Sequence, residues 1–203
     1  NSQKFNKMEL KNKYKINKSD FALSFSYNLK ISINTINYFK KKIYNFHPAN
    51  LPFYRGNLPT IWPILNDDRY AYYTLHVINK NFDEGPIIAK TRIKINEEDT
   101  GISLYDKLLK KLPIFINHNL TSLINGKFKL INQNEKKAKF YKKKIPNNGV
   151  ISMNWNGKYI QRYVKALYSN KHIPALLFYN DKYFKIYKVR YIKKFPEHLN
   201  KKY

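Results

Sequence analysis

The chain has 203 residues and a formal net charge of +26, with 39 Lys and Arg against 13 Asp and Glu. That length allows one or two domains with a substantial core. Cysteine is absent, which excludes disulfides, thiolate metal sites and a cysteine nucleophile. No apolar run reaches the ~18 residues of a membrane span, and no signal-peptide core is visible, so a cytoplasmic protein is expected. The first residue is Asn1 rather than Met, so the natural chain is expected to start upstream. The charge is mostly lysine, alongside many Asn, Ile, Tyr and Phe, all residues of A/T-rich codons. Two readings of it stay open: a lysine-inflated solvated surface, or a face for a polyanion such as nucleic acid.

Residues 1–19 are polar and lysine-rich with weak periodicity, reading as a frayed helix or connector. Asp20 to Ser26 is a short apolar run and predicts a buried strand. Ser32 is a plausible N-cap for a helix through Lys41, with Ile36, Phe39 and Ile43 on one side. Lys42 to Phe46 has the alternation of a short strand. Asn45 and His47 lie two apart, so an extended backbone points both to one face. Pro48 then ends the strand, because it donates no backbone hydrogen and restricts His47 before it. Strand, helix and strand make a βαβ unit, which predicts an α/β fold with a parallel sheet. An amide and an imidazole at the carboxyl end of a strand sit where open α/β sheets place their ligands.

Leu58 to Leu65 predicts a short helix interrupted at Pro63. Tyr72 to Ile78 predicts a strand, on which His76 reads as a packed or edge histidine rather than a catalytic one. Asn79 to Gly85 is a loop, and Pro86 to Ile95 a further strand. Acid at Glu97, Glu98 and Asp99 precedes a helix from Thr100 to Leu123, expected to kink at Pro113 and stop at Gly126. Residues 127–147, with Lys136, Lys137 and Lys142 to Lys144, read as a linker that doubles as a basic strip. Asn156 to Ser169 predicts a helix, and two strands, Ala175–Tyr179 and Tyr183–Tyr191, form a hairpin turning at Asn180–Asp181. With only six glycines there is no Gly-x-Gly-x-x-Gly, so a dinucleotide or P-loop site is unsupported. No His, Asp or Glu spacing reads as a metal site.

Asn45-x-His47-Pro48-x-x-Leu51-Pro52-x-Tyr54-Arg55-Gly56 resembles the signature of the 10-formyltetrahydrofolate-dependent formyltransferases. Phe82-Asp83-Glu84-Gly85 matches the family's downstream Asp-x-Gly loop, with Asp83 36 residues after His47. The match runs with gaps from about Asp20 to about Tyr191. The resemblance implies a partial Rossmann-like formyltransferase domain over 1–126, lacking the family's first strands, with the linker at 127–147. It implies a small mixed α+β C-terminal subdomain over 148–203, beginning at Val150 to Trp155. It also implies three catalytic residues: Asn45 for the oxyanion, His47 for proton transfer, and Asp83 for positioning and proton relay. Folate contacts are implied at Phe25, Ser26, Tyr27, Ala49, Asn50, Leu51 and Pro52. Arg55 and Gly56 hold either the loop or an acceptor phosphate.

The function the resemblance implies is formyl transfer from 10-formyltetrahydrofolate, as co-substrate and without a metal, to a primary amine. A nucleotide-linked amino sugar is the narrow choice of acceptor. Methionyl-tRNA is the alternative, and a non-catalytic basic binding protein on a degenerate formyltransferase fold is the rival of a different class. Oligomeric state stays open.

Overall fold

A computed structural model describes residues 20–25, 27, 29–168 and 174–191. The expectations placed on residues 1–19, including the missing front strands, fall outside the described residues, as does Ser26.

Strands β1 (Ala22–Phe25) and β2 (Ile43–His47) pair in parallel, joined by helix α1 (Ile33–Tyr38). Ser32 caps α1, its hydroxyl accepting from the Thr35 backbone N–H. The helix is shorter than its predicted reach to Lys41, because Lys40 and Lys41 adopt positive φ and turn the chain into β2. Beyond this pair the expected parallel arrangement gives way to a mixed sheet. β4 (Tyr70–Val77) runs antiparallel to β2, and β5 (Ile87–Lys94) antiparallel to β4, in the order β1-β2-β4-β5. The physical reason is the connection: residues 48–69 turn the chain at the carboxyl end of β2, and their one helix, Ile61–Leu65, is too short to carry it back across the sheet.

The sheet's two faces separate core from site. Tyr44, Phe46, Tyr73, Leu75 and Ile93 point to one face, where Leu108, Phe115 and Leu123 of helix α3 (Gly101–Ile124) cover them. The rings of Phe46 and Phe115 meet edge to face with centroids 5.6 Å apart. Asn45, His47, Thr74 and His76 alternate onto the opposite face, with register pairs Asn45–His76 and His47–Thr74. Helix α3 starts in a capping box between Thr100 and Ser103. It runs unbroken through Pro113, where the sequence predicts a kink.

A second core joins helix α2 (Ile61–Leu65) to helix α4 (Gly157–Leu167), with Leu104, Tyr163 and Leu167 buried between them. Pro63 sits inside the first turn of α2, where its missing N–H has no helical acceptor to lose, so it does not interrupt the helix. Strands β7 (Ala175–Tyr179) and β8 (Lys182–Ile186) form the predicted hairpin. Asn180 and Asp181 both carry positive φ, the conformation a tight two-residue turn requires.

Segment 127–147 packs back on the sheet. Ile131 bridges Ile87, and β6 (Phe140–Tyr141) pairs with β3 (Arg55–Gly56), strapping the loop that follows β2. Among the described residues, no helix is long and apolar enough to cross a membrane.

Candidate active site

Three segments meet on the open face of the sheet: the end of β2, the middle of β4, and the loop between β4 and β5. Asn45 and His47 share that face because strand residues alternate. The loop folds back over them and brings Asp83 Oδ1 to 3.5 Å from His47 Nδ1 and 3.6 Å from His76 Nε2. Asn45 Nδ2 lies 3.1 Å from His76 Nε2. Asn45, His76 and Asp83 line one open cleft, with Tyr27 and Phe82 at its sides. The fold therefore gathers Asn45, His47 and Asp83 into one constellation. His76, read from sequence as a packed histidine, stands inside the same group.

Two glycines allow the loop to close. A Cβ on Gly85 would fall 1.7 Å from the Val77 carbonyl oxygen, so only glycine lets the chain pass that closely. Gly56 has φ +90°, and a Cβ there would meet the Tyr141 carbonyl oxygen at 2.4 Å. The freed Gly56 backbone N–H donates to Asp83 Oδ2 at 2.8 Å. Asp83 itself has φ 58°, in the left-handed region that Asp tolerates better than most residues.

Gln133 holds this loop from outside. Its Nε2 donates to the carbonyl oxygens of Asp83 and Gly85 at 2.7 and 2.8 Å. Its Oε1 accepts from Arg55 Nε at 3.2 Å and from Nη2 at 3.0 Å. Arg55 also donates to both carboxylate oxygens of Glu135, at 2.9 and 2.7 Å. The guanidinium is 5% exposed, and four of its five N–H groups bond to Gln133 and Glu135. Nothing in the composition of 127–147 signalled this, because the contact depends on long-range packing.

The remaining predicted residues divide. Phe25 stacks on Phe46 with centroids 5.0 Å apart, while one side of Phe25 and of Tyr27 stays open to solvent. Ala49, Leu51 and Pro52 are buried, so they shape the loop from within. Thr74 clamps that loop: its hydroxyl donates to the Ala49 carbonyl at 2.6 Å and accepts from the Leu51 N–H at 3.3 Å. Lys90 Nζ donates to Asn50 Oδ1 at 2.8 Å and also to the Leu51 carbonyl. Among the described residues, no group of three or more His, Asp or Glu side chains is arranged to hold a metal ion.

The protonation states follow from the partners. His47 Nε2 lies 3.0 Å from the Tyr54 carbonyl oxygen, which only accepts, so that nitrogen carries the proton. Burial pushes the His47 pKa below its ordinary value, and Asp83 pulls it back only in part. The imidazole is therefore neutral near pH 7, with Nδ1 as its basic atom, facing Asp83. For Asp83, burial alone raises the pKa, but a charged His47, the His76 ring when it is protonated, and the Gly56 N–H together hold it down to about 2. The His47 share exists only while that ring is charged; the Gly56 N–H does not titrate and persists throughout.

A polar face with a basic imidazole, a carboxylate and an amide suits proton transfer beside a developing oxyanion. A family model described as formyl transferase matches residues 1–118. This chain belongs to the formyl transferase family. A GDP-perosamine N-formyltransferase of Brucella melitensis is 29% identical over 158 residues, covering 78% of this chain and 60% of that protein. Among solved structures, the sugar 3N-formyl transferase WlaRD, determined with dTDP and 5-N-formyl-THF, aligns with a TM-score of 0.72 and 26% identity, over 86% of this chain and 62% of that one. An N-formyltransferase of Helicobacter canadensis, in complex with folinic acid and dTDP-3-aminofucose, aligns with a TM-score of 0.70 and 25% identity, over 82% of this chain and 60% of that one. The chain thus spans about 60% of the length of the curated relatives it matches.

Proposed function

We propose that the protein transfers a formyl group from 10-formyltetrahydrofolate to the amine of a nucleotide-linked amino sugar. The observation that carries this reading is the meeting of Asn45, His47 and Asp83 in one group: Asn45 and Asp83 line the cleft, and Asp83 Oδ1 lies 3.5 Å from His47 Nδ1. Membership of the formyl transferase family supports the reaction, and the sugar nucleotides of the relatives support the acceptor.

The co-substrate supplies the formyl carbon. Exposed faces of Tyr27 and Phe82 beside the cleft suit a flat heteroaromatic ring. The acceptor amine attacks the formyl carbon, forming a C–N bond, and the carbonyl oxygen gains negative charge. Asn45 donates an amide N–H to that oxygen, worth roughly 2.7–4 kcal/mol for one such donor. The proton lost by the amine goes to His47 Nδ1, and the Asp83 carboxylate stabilises the imidazolium that results. The bond to the folate nitrogen then breaks, and that nitrogen takes up a proton. Arg55 holds the loop rather than an acceptor phosphate, because Glu135 and Gln133 already occupy its donors. In this reading, segment 127–147 divides the catalytic domain from the C-terminal subdomain and serves as the strap of the site.

The test is incubation of the purified full-length protein with 10-formyltetrahydrofolate and a panel of nucleotide-linked amino sugars, with methionyl-tRNA in parallel. Mass spectrometry reads the formamide. Formylation of a sugar nucleotide is expected. Formylation of methionyl-tRNA alone would move the assignment to that acceptor. Folate and sugar-nucleotide binding without turnover would favour the non-catalytic rival.

A further inference from the structure

His76 carries the tightest set of contacts that the proposed chemistry leaves unused. Its ring is 2% exposed, beneath the cleft and beside the catalytic carboxylate. Nδ1 lies 3.0 Å from the Val77 carbonyl oxygen. A carbonyl only accepts, so Nδ1 carries the ring's proton in the neutral form. Nε2 is then a bare lone pair, and it lies 3.1 Å from Asn45 Nδ2. Only an amide N–H can complete that contact. The neutral ring therefore fixes which way the Asn45 carboxamide faces: one N–H is bound to His76, and the other remains as a donor at the cleft. With the opposite flip, Asn45 Oδ1 would face the lone pair of Nε2, and two acceptors would be buried against each other.

We propose that His76 is a positioning residue that orients the Asn45 amide as a hydrogen-bond donor for the formyl oxygen. The inference rests on the formyl-transfer reading of the site. Its structural cause is the antiparallel register of β2 and β4, which sets Asn45 directly opposite His76 on one face. Asp83 Oδ1, at 3.6 Å, lies just outside hydrogen-bond reach of the same Nε2, so in the neutral state the amide is the partner.

Three variants of the full-length protein separate this role from its rivals. His76→Gln places an amide oxygen near the position of Nε2 and keeps an acceptor for Asn45. His76→Asn is too short to do so, and its amide falls nearer Nδ1. The expected result is a fall in kcat on the order of 10- to 100-fold for His76→Asn, the scale at which orienting partners act, with KM for both substrates little changed. His76→Gln is expected to recover most of that loss. The double variant Asn45→Ala/His76→Asn is expected to match Asn45→Ala alone, because His76 acts only through the amide. Losses that multiply in the double variant, or a His76→Gln protein as slow as His76→Asn, would overturn the role. A wild-type protein with no transfer to any acceptor would defeat the reading of the site instead. The nitrogen-15 spectrum of the wild-type imidazoles at neutral pH then decides the role of His76. His76 with Nδ1 protonated and Nε2 bare, and a Nε2 signal that moves in Asn45→Ala, is the expected result. A proton on Nε2 overturns it.

Discussion

The backbone N–H of Gly56 donates to Asp83 Oδ2 at 2.8 Å, so the last residue of one sequence motif holds the acid of the other. The two motifs form one structural unit, and the link can be broken from the side that carries no chemistry. Gly56→Ala is expected to cost about 1–3 kcal/mol, because an L residue is strained at positive φ and its Cβ would strike the Tyr141 carbonyl. Urea unfolding would measure that cost. Formyl transfer should fall as well, since any shift that relieves the clash withdraws the N–H from Asp83. An alanine variant of unchanged stability and activity would contradict the close packing of β3 on β6.

Asn45→Ala is expected to lower kcat by about 10²–10³-fold, the loss typical of one oxyanion donor, with the fold intact. His47→Ala and Asp83→Ala should abolish transfer more completely, because each removes half of the proton-accepting pair. Single-turnover formylation, with circular dichroism to check folding, is the measurement. Near-normal turnover in His47→Ala would refute its role.

The pH profile follows from the two shifts. Burial lowers the His47 pKa below its ordinary 6.5, so the ring charges at a lower pH than a free imidazole. The acid limb of kcat/KM should therefore be centred below 6.5, with single-proton slope. A limb centred above 6.5 would contradict the assignment. The sign for stability is separate. Asp83 has its pKa depressed from 3.8 to about 2, so, while His47 is charged, its stabilising contribution is present above pH 3.8 and is lost as pH falls toward 2. Urea midpoints of wild type and Asp83→Asn, compared from pH 5 downward, would show the difference between them shrinking.

Arg55→Lys is expected to destabilise the protein by about 1–3 kcal/mol, although the charge is kept. A lysine cannot reproduce the paired hydrogen bonds to Glu135 while also reaching Gln133. The Michaelis constant for the nucleotide sugar should change little. A rise in that constant with unchanged stability would instead assign Arg55 to the acceptor phosphate.

Much of the site was legible because its signals are local. The two-residue spacing of Asn45 and His47 needs only a strand to put both on one face, and the spacing to Asp83-x-Gly85 needs only a hairpin loop. The hairpin at Asn180–Asp181 and the cap at Ser32 were readable for the same reason. The role of His76 was hidden because it depends on the register between β2 and β4, which no short window of sequence contains. One signal was available: His76 lies two positions from Thr74, so the two share a face, and an antiparallel neighbour to β2 would turn that face toward Asn45. Gln133 lay in a stretch whose lysines look like those of a solvated connector. The antiparallel strands were missed because a βαβ start favours continuing in parallel, and only the shortness of the helix between β2 and β4, five residues, argues otherwise.

At Asp83 the left-handed backbone is strain that the side chain's own contacts offset. Glycine would sit there with less strain and make the loop easier to fold, yet it would delete the carboxylate. A search for hardier variants scored by heat resistance alone is therefore expected to leave Asp83 in place, because the exchange would also strand the Gly56 N–H that the carboxylate satisfies.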